Sequence, residues 1–346
     1  MTLYKTDRPD EAIREQVKKR IDGIAKPLDS LGKFEKYIAQ IGAITGTCDI
    51  DIRRKAVLVL CADNGIVSEG VSQSGQEVTA IVAAAMGKGQ SSVCKMARVI
   101  GADVIPVDVG IHDEESIPGV INKKVMYGTN NFLKQPAMTE AQTLAAIQAG
   151  IDMAVYCREQ GYGILATGEM GIGNTTTSAA VAAALTGCAV EEITGRGAGL
   201  SDAGLARKRQ VVSRALQKYD FSGDVLQILS CVGGLDIAAM AGVFIGGARV
   251  HLPVVIDGVI SAVAALVAEK LAPGVKAYML PSHRSKEPAA GLILQELGLE
   301  PVIDAELALG EGTGAVMFMG LLEMAMSLYR TPTTFSDISM EQYTRF

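Results

Sequence analysis

In Lys55–Gly65, KAVLVLCADNG, an apolar run changes abruptly into polar residues and glycine, and this change indicates the fold. Lys55–Cys61 is short and almost wholly apolar, which is typical of a strand buried on both faces of a parallel sheet. Similar runs recur at Ala102–Val107, Tyr162–Ala166, Pro253–Ile256, Ala277–Leu280 and Pro301–Ile303. The sequence therefore predicts a parallel sheet built from these runs.

Helical patterns separate most of the predicted strands. The clearest is Ala141–Glu159, which Thr139-x-x-Gln142 precedes with the spacing of a capping box. Two apolar stretches, Ile237–Gly246 and Val259–Val267, are predicted to be helices that cover the faces of the sheet. Strands that alternate with helices indicate an α/β fold in which right-handed crossovers connect parallel strands.

The two ends of the chain are predicted to meet in a small helical subdomain. Glu11–Ile24 and Leu31–Ile44 have the spacing of amphipathic helices, and we expect a helix at Ala315–Tyr329 to return towards them. The predicted division is a helical subdomain of residues 1–48 and 325–346 and a large α/β catalytic domain of residues 49–324.

Composition and charge narrow the class of protein. The chain has 346 residues, of which 49% are hydrophobic and 38 are Gly, so it can bury a large core and is rich in tight turns. Its formal net charge of -6 is spread thinly, with no dense run of Lys and Arg. Nucleic acid is therefore not an expected partner.

Cysteine usage and hydropathy predict a cytoplasmic protein. The six cysteines lie far apart without a C-x-x-C pair, which indicates reduced thiols rather than disulfides or a zinc site. The start of the chain is charged throughout and lacks the apolar stretch of a signal peptide. Arg249 and Asp257 interrupt the apolar region 237–268, so we expect no membrane span and no membrane partner.

Small polar or glycine-rich motifs follow nearly every predicted strand. They are Asp63-Asn64-Gly65, Asp108-Val109-Gly110, Thr167-Gly168-Glu169-Met170-Gly171, Asp257-Gly258 and Pro281-Ser282-His283. In an open α/β sheet the carboxyl ends of the strands converge on one crevice, where ligands bind. These motifs, with acids embedded in them, therefore predict an active site rather than a set of turns.

The richest motif is Gly168–Thr177, GEMGIGNTTT, which joins a predicted strand to a predicted helix at Ser178–Leu185. Its glycines allow a ligand to approach the backbone, and the free N–H groups at the start of a helix attract phosphate. It is neither a P-loop nor a G-x-G-x-x-G motif. The alternative is a glycine turn in which Asn174 or Thr175 is the helix N-cap. The acid Glu169 within the turn favours a functional role.

A second glycine loop, Gly195–Gly199, precedes a predicted basic helix at Ser201–Tyr219. From that helix Lys208 could reach a phosphate as a point charge. The alternative is a solvated lysine between Arg207 and Arg209, and spacing alone favours this alternative.

The segment Leu309–Gly314, LGEGTG, places Glu311 between glycines just before the last predicted helix. Flanking glycines leave room for a planar substrate to reach the carboxylate. The alternative is a favourable negative charge at a helix N-terminus. Spacing alone leaves these two interpretations equal.

The histidines give no sign of metal or triad chemistry. His112, His251 and His283 are scattered, so neither a His-based metal site nor a Ser-His-Asp triad is indicated, and each is expected to be structural or at the surface. Without a metal cluster or a lysine-bearing phosphate loop, a nucleoside triphosphate enzyme is disfavoured. We expect no metal and no cofactor.

Eight motifs, in their order along the chain, resemble those of the nicotinate-nucleotide–dimethylbenzimidazole phosphoribosyltransferase family. They are KPLDSLG from Lys26, ADNG from Ala62, EGVS from Glu69, GEMGIGNTTTSAA from Gly168, GGLDIAAMAG from Gly233, VIDGVIS from Val255, PSHRSKE from Pro281 and LGEGTGA from Leu309. The motifs span roughly residues 26 to 320, nearly the whole chain, and eight in order are far more specific than one.

The resemblance implies a Rossmann-like large domain, a small domain from both termini, and a homodimer. It also implies that ribosyl 5'-phosphate moves from nicotinate mononucleotide to dimethylbenzimidazole during cobalamin assembly. By the same similarity, Glu311 is the general base, Glu169 is a second carboxylate near the incoming base, and Ser74 lies in the base pocket. The positions matching those that hold nicotinate mononucleotide are Gly171, Gly197, Lys208, Asp257 and Ser285.

Two positions depart from the family's pattern. Many members have Arg where this chain has Ala308, and Pro is common where Gly75 stands in the loop that lines the base pocket. The acceptor is therefore open between dimethylbenzimidazole and another lower-ligand base, such as adenine or a phenol. A non-catalytic nucleotide-binding protein of the same fold is the remaining alternative.

Overall fold

Eight strands and thirteen α-helices form within residues 4–345, the part of the chain that the computed structural model describes. The strands are β1 (Lys55–Ala62), β2 (Ala102–Gly110), β3 (Ile121–Asn122), β4 (Ile164–Met170), β5 (Val254–Ile256), β6 (Met279–Pro281), β7 (His283–Ser285) and β8 (Ile303–Leu307). The helices are α1 (Glu11–Asp22), α2 (Lys33–Thr45), α3 (Glu77–Gly87), α4 (Ser92–Val99), α5 (Glu140–Glu159), α6 (Asn174–Thr186), α7 (Val190–Ile193), α8 (Asp202–Lys218), α9 (Val225–Val232), α10 (Leu235–Arg249), α11 (Val259–Leu271), α12 (Pro288–Leu297) and α13 (Thr313–Arg330). Among these described helices, none combines the length and the apolarity needed to cross a membrane.

Six of the strands form one parallel sheet in the order β3-β2-β1-β4-β5-β6. β1 pairs along its length with β2 on one side and with β4 on the other, so that Lys55 lies opposite both Ala102 and Ile164. The same order is found in the doubly wound Rossmann fold, where the direction of winding reverses beside the first strand. The predicted α/β class, a Rossmann-like parallel sheet flanked by helices, is confirmed.

One predicted strand does not belong to this sheet. Pro301 and Val302 precede β8, which begins at Ile303 and pairs with β7 in a separate two-stranded sheet. The backbone N–H groups of Val302 and Ile303 both donate to the carbonyl of Ser282, at 3.2 and 3.0 Å. The prediction of a main-sheet strand at 301–303 is therefore wrong, because an apolar run indicates burial without specifying a pairing partner.

The side chains of β1 divide the core into two layers. Every residue of β1 is buried. Even-numbered residues from Ala56 to Ala62 belong to a hydrophobic cluster with α5, α10 and α11. Odd-numbered residues from Val57 to Cys61 belong to a second cluster with α2, α4 and α13 on the opposite face. The sheet is thus covered on both faces, as its apolar sequence predicts.

The terminal segments meet on the second face. Phe34 of α2 stacks on Phe318 of α13 with ring centroids 6.1 Å apart, and the Tyr329 hydroxyl donates to the carbonyl of Cys48 at 2.8 Å. A β-bridge joins Ile24 to Thr334. The division into residues 1–48 and 325–346 against 49–324 stays a prediction, and its residues 1–3 and 346 lie outside the described part of the chain.

Glycines set the distance between α5 and α10. A Cβ atom added at Gly150 would lie 1.8 Å from the carbonyl oxygen of Ala239, and one added at Gly242 would lie 2.0 Å from that of Ile147. Both contacts are with backbone, which cannot move aside as a side-chain tip can. The two helices therefore pack closely only because these positions lack a side chain.

We expect Gly150→Ala to destabilise the protein by about 1–3 kcal/mol or more, because the added methyl group forces α5 and α10 apart. Gly291→Ala in α12 is the matched control, since an added Cβ there has no atom within 4 Å. The control should be neutral or stabilising by up to about 1 kcal/mol, because alanine favours the helix. Urea denaturation of both variants tests this, and equal midpoints would contradict it.

Candidate active site

A cleft of about 220 Å³ opens at the carboxyl ends of β4 and β5. Its walls come from the loop between β4 and α6, the start of α11, β7, and the turn that precedes α13. The residues predicted for the site that line this cleft are Glu169, Gly171, Gly197, Asp257 and Ser285. The structure thus brings five of the eight predicted residues to one place, beside the reversal of strand order.

An asparagine links two carboxylates in the floor of the cleft. The Asn174 side-chain nitrogen Nδ2 donates to Glu169 Oε2 and also to Asp236 Oδ2, the latter at 3.0 Å. Asn174 is the first residue of α6, and Gly173, with φ of 93°, is the N-cap. The interpretation of Asn174 or Thr175 as the N-cap is therefore wrong, and the Asn174 side chain instead holds two acids together.

The carboxyl groups of the cleft hold their protons more tightly than exposed acids do. Burial raises the pKa of Glu169 to about 8; the hydrogen bond from Asn174 opposes this rise, and the neighbouring carboxylates Asp236, Asp257 and Glu311 add to it. Burial likewise raises the pKa of Asp236 and that of Asp257 to about 6. At pH 7 Glu169 therefore keeps its proton, while the other two buried acids are mostly ionised.

Lys208 is a buried residue of the site. Its side chain has no exposed surface, and its Nζ donates to the Thr175 hydroxyl at 2.8 Å. Burial lowers the pKa of Lys208 to about 8, against the opposing effect of Glu287. The interpretation as a solvated lysine is wrong, because the buried face of α8 consists of Lys208, Val211, Val212 and Ala215. That helical spacing is the sequence signal that places Lys208 inside.

Two glycines of the site allow backbone to approach side chains. A Cβ added at Gly171 would lie 2.5 Å from the carbonyl oxygen of Ala62 and 2.7 Å from Asp236 Oδ2. The Gly197 backbone N–H donates to Glu287 Oε1 at 2.9 Å, and a Cβ there would lie 3.4 Å from Lys208 Nζ. Gly197, which Glu287 binds, therefore lies next to the Lys208 ammonium group.

Asp257, rather than Glu311, supplies the carboxylate at the start of α13. Asp257 Oδ1 accepts the Ala315 backbone N–H at 2.9 Å, so Asp257 caps α13. Glu311 Oε2 accepts the Val93 backbone N–H at 3.1 Å, in the first turn of α4. Glu311 is therefore a negative charge at a helix N-terminus, but of α4 rather than of the last helix. It adjoins the cleft through Gly310, which lines the wall.

The backbone at Glu311 is left-handed. Glu311 has φ of 60°, and its neighbours Gly310 and Gly312 have φ of 85° and 88°. A side chain rarely adopts this conformation unless the surrounding structure imposes it. The turn thus holds an acid at a position where local preference favours glycine.

Ser74 lies outside the residues that line the cleft. It is exposed, in the loop that precedes α3, and its backbone N–H donates to the Ser72 hydroxyl at 3.2 Å. The neighbouring Gln73 side chain donates to the carbonyl of Gly199, so this loop contacts the second glycine loop.

Three residues in or beside the cleft were not predicted from the sequence: Asp236, Glu287 and His283. Asp236 follows Gly233-Gly234 at the start of α10, the same arrangement of an acid beside glycines that marked Glu169 and Glu311. His283 is buried and lines the cleft, so the expectation of a surface or purely structural histidine missed its position. Within residues 4–345, no group of three or more His, Cys, Asp or Glu is arranged to hold a metal ion.

Comparisons with known proteins agree with the motif order. A family model described as Phosphoribosyltransferase matches residues 6–339. The curated nicotinate-nucleotide–dimethylbenzimidazole phosphoribosyltransferase of Acetivibrio thermocellus is 43% identical over 331 residues, 95% of this chain and 94% of the relative. The protein of that name from Geobacter metallireducens is 41% identical over 343 residues, 99% of this chain and 97% of the relative.

Solved structures give the same answer. A crystal structure of CobT from Thermus thermophilus superimposes with a TM-score of 0.91 at 38% identity. The match covers 96% of this chain and 100% of that one. Sequence and fold therefore agree over nearly the full length.

We expect the pH dependence of stability to report the proton on Glu169. Burial raises the pKa of Glu169 from 4.5 to about 8, so between these values the folded state holds a proton that the unfolded state has released. Stability then falls as pH rises towards 8, by at most about 1.4 kcal/mol per pH unit. Glu169→Gln removes this proton, so its unfolding free energy should decline less between about pH 6.5 and 8.

This window separates Glu169 from its neighbours. Three neighbours change the slope of stability against pH mainly below about pH 6.5. They are Asp236 and Asp257, whose pKa values are raised to about 6, and His283, whose pKa is lowered to about 4. Lys208, whose pKa is lowered to about 8, changes the slope mainly above the upper end of this window. Urea denaturation at several pH values measures the slopes, and equal slopes in the two proteins would contradict a protonated Glu169.

Proposed function

The chain belongs to the nicotinate-nucleotide–dimethylbenzimidazole phosphoribosyltransferase family, and on this premise we propose the reaction that it catalyses. It moves ribose 5'-phosphate from nicotinate mononucleotide to 5,6-dimethylbenzimidazole and gives α-ribazole 5'-phosphate and nicotinate, in the assembly of the cobalamin nucleotide loop. The observation that carries the proposal is one cleft that carboxylates and two glycine loops line. Its wall residues Thr175 and Gly197 lie against the buried Lys208.

The phosphate of the mononucleotide binds at the Lys208 end. A lysine ammonium without exposed surface needs a negative partner to be stable as a cation, and a phosphate supplies one. Thr175, which accepts from Lys208, lies in the first turn of α6, and the positive end of a helix dipole favours an anion. Gly171 and Gly197 line the cleft, and Asp257 and Ser285 complete the proposed mononucleotide site.

The leaving group needs no neutralisation of new negative charge. In nicotinate mononucleotide the ring nitrogen is positively charged, and when its bond to C1' breaks the electron pair returns to that nitrogen. The imidazole nitrogen of the acceptor forms the new bond from the opposite side, which converts a β linkage into an α linkage. Alignment of both rings at C1' supplies much of the acceleration.

A carboxylate then removes the proton that attack makes acidic. Bond formation leaves the acceptor ring cationic, so its other N–H becomes a stronger acid. Glu169, whose pKa burial raises to about 8, is the proposed second carboxyl group near the incoming base. Glu311 is the proposed proton acceptor, and Ser74 lies in the proposed base pocket. A positioned base contributes on the order of 10²- to 10⁴-fold.

The reaction is tested by incubating the protein with nicotinate mononucleotide and one acceptor at a time, and measuring released nicotinate. We expect product with dimethylbenzimidazole. Glu311→Gln should lower kcat by roughly 10²-fold or more while both substrates still bind, because glutamine cannot accept the proton. Glu287→Gln is the control for loss of a carboxylate at the phosphate end, and it should change the mononucleotide KM more than kcat, because Glu287 contacts Gly197 beside Lys208.

Other outcomes are equally specific. Release of nicotinate only with adenine or a phenol would change the acceptor, and no release with any base would leave a nucleotide-binding protein. If Glu169→Gln abolishes turnover while Glu311→Gln does not, the two roles are reversed. If neither substitution matters, water takes the proton.

We further propose a cytoplasmic homodimer that associates through α13. Met317, Leu321, Met324 and Leu328 are between 39% and 69% exposed, and their spacing puts them on one face of the helix. A Cβ added at Gly320 of α13 would lie 3.1 Å from Ile100, so α13 packs beside the end of α4. The exposed Val99, which precedes Ile100, extends the apolar face there. A second copy would cover it. All six cysteines are free thiols, which fits a reducing compartment.

Met324→Glu should dissociate the dimer, because it places a charge in the middle of this apolar face. Leu292→Glu is the matched control, an equally apolar residue, 38% exposed, on α12. Light scattering coupled to size-exclusion chromatography gives the mass of each variant. A monomeric wild-type protein, or a dimer that survives Met324→Glu, would overturn the proposal.

A further inference from the structure

His283, which the proposed mechanism leaves unused, has a fixed position in the wall of the cleft. It is the first residue of β7 and is only 4% exposed. Its ring packs against the start of α13, where a Cβ added at Gly314 would lie 2.2 Å from both Cε1 and Nδ1. The absence of a side chain at Gly314 therefore makes the space that the ring occupies.

Hydrogen bonding determines which ring nitrogen carries the proton. The Ser282 hydroxyl lies 2.6 Å from the carbonyl oxygen of Ile256, which can only accept, so it donates its single proton there. His283 Nδ1 lies 2.9 Å from the same hydroxyl oxygen. Because that oxygen has no proton left to give, Nδ1 must be the donor. Burial lowers the pKa of His283 to about 4, so the ring is neutral at pH 7.

The other ring nitrogen, Nε2, is then a hydrogen-bond acceptor without a donor. Within residues 4–345 it has no hydrogen-bond partner, and it is not sealed from solvent as a buried unpaired atom would be. A Cβ position built on Gly258 lies 3.8 Å from Nε2 and 4.0 Å from the Ser285 hydroxyl oxygen. Nε2 and Ser285 therefore face the same part of the cleft, above Gly258.

This part of the cleft lies between the two ends of the proposed site. On one side the Glu287 backbone N–H donates to the Ser285 hydroxyl at 3.4 Å, and Glu287 itself contacts Gly197 beside Lys208. The lining of the same cleft also includes the acids Asp257 and Glu169. A group bound here is therefore flanked by the phosphate end and by the carboxylates, which is where the ribose of a mononucleotide must lie.

We propose that His283 Nε2 accepts a hydrogen bond from a ribose hydroxyl of the bound mononucleotide and so selects ribose over deoxyribose; this rests on the function proposed above. An acceptor nitrogen repels phosphate and carboxylate oxygens. In nicotinate mononucleotide the ribose 2'- and 3'-hydroxyls are the donors that remain when the phosphate and carboxylate are ionised. His283 is thus a specificity-determining residue that takes no proton in the reaction.

Two polar substitutions separate the two sides of the ring. His283→Gln places an amide oxygen near the position of Nε2 and keeps an acceptor there. His283→Asn places its amide nitrogen near Nδ1, keeps the bond to Ser282 and removes the acceptor. His112→Asn, at an exposed histidine outside the lining of the cleft, is the matched control.

The experiment is calorimetric binding of nicotinate mononucleotide and of its 2'-deoxy and 3'-deoxy analogues to each folded protein, without an acceptor base. Wild type, His283→Gln and His112→Asn should bind the ribonucleotide about tenfold more tightly than one deoxy analogue, the range expected for one hydrogen bond. His283→Asn should bind those two ligands equally, with the affinity that wild type has for the analogue.

The inference is overturned if His283→Asn discriminates as wild type does, or if it loses the same factor for all three ligands, since either result makes the histidine a packing residue. Loss of discrimination in His283→Gln together with His283→Asn also overturns it. Failure of wild type to bind the ribonucleotide at all would overturn the proposed function itself. Binding without discrimination in wild type would remove only the role of His283.

Discussion

The site exists because β1 is paired on both sides. Full-length parallel ladders to β2 and β4 leave β1 with neither an exposed face nor an exposed edge, so its residues can be apolar throughout. Parallel neighbours must be joined by crossovers, which bring every following loop back to the same edge of the sheet. Glu169, Asp257 and His283 each stand at or just after the end of a strand, and this is why residues over a hundred positions apart share one cleft.

Local sequence patterns predict the elements that depend on neighbours in the chain. They do not predict features that depend on contacts with distant segments. The burial of β1 and the capping box of Thr139 and Gln142 could be predicted, because each depends on neighbours in the chain. The prediction of a main-sheet strand at 301–303 is wrong because a short apolar run does not specify which strand it pairs with, and β8 pairs with β7. Lys208 was judged by its charged neighbours, although its spacing from Val211 and Val212 places it on the buried face of α8.

Desolvation shifts five buried ionisable groups in or beside the cleft towards their neutral forms. The pKa values of Glu169, Asp236 and Asp257 are raised, and those of Lys208 and His283 are lowered, with burial as the largest cause in each. Such groups reduce the stability of the empty protein, since each must forgo either its charge or its hydration. A substrate phosphate would form an ion pair with the Lys208 ammonium. Burial of these groups therefore lowers the stability of the unliganded protein but strengthens its binding of substrate.

The left-handed backbone at Glu311 has a practical consequence for protein engineering. Residues 310 to 312 all have positive φ, and glycine or asparagine fits such a position with less strain than glutamate does. A redesign guided by thermal stability alone would therefore select Glu311 as a defect and replace it. The replacement would relieve the backbone strain but would also remove the hydrogen bond from Val93 to Glu311. If Glu311 takes the proton, the resulting enzyme would be nearly inactive, so activity has to be screened alongside melting temperature at this turn.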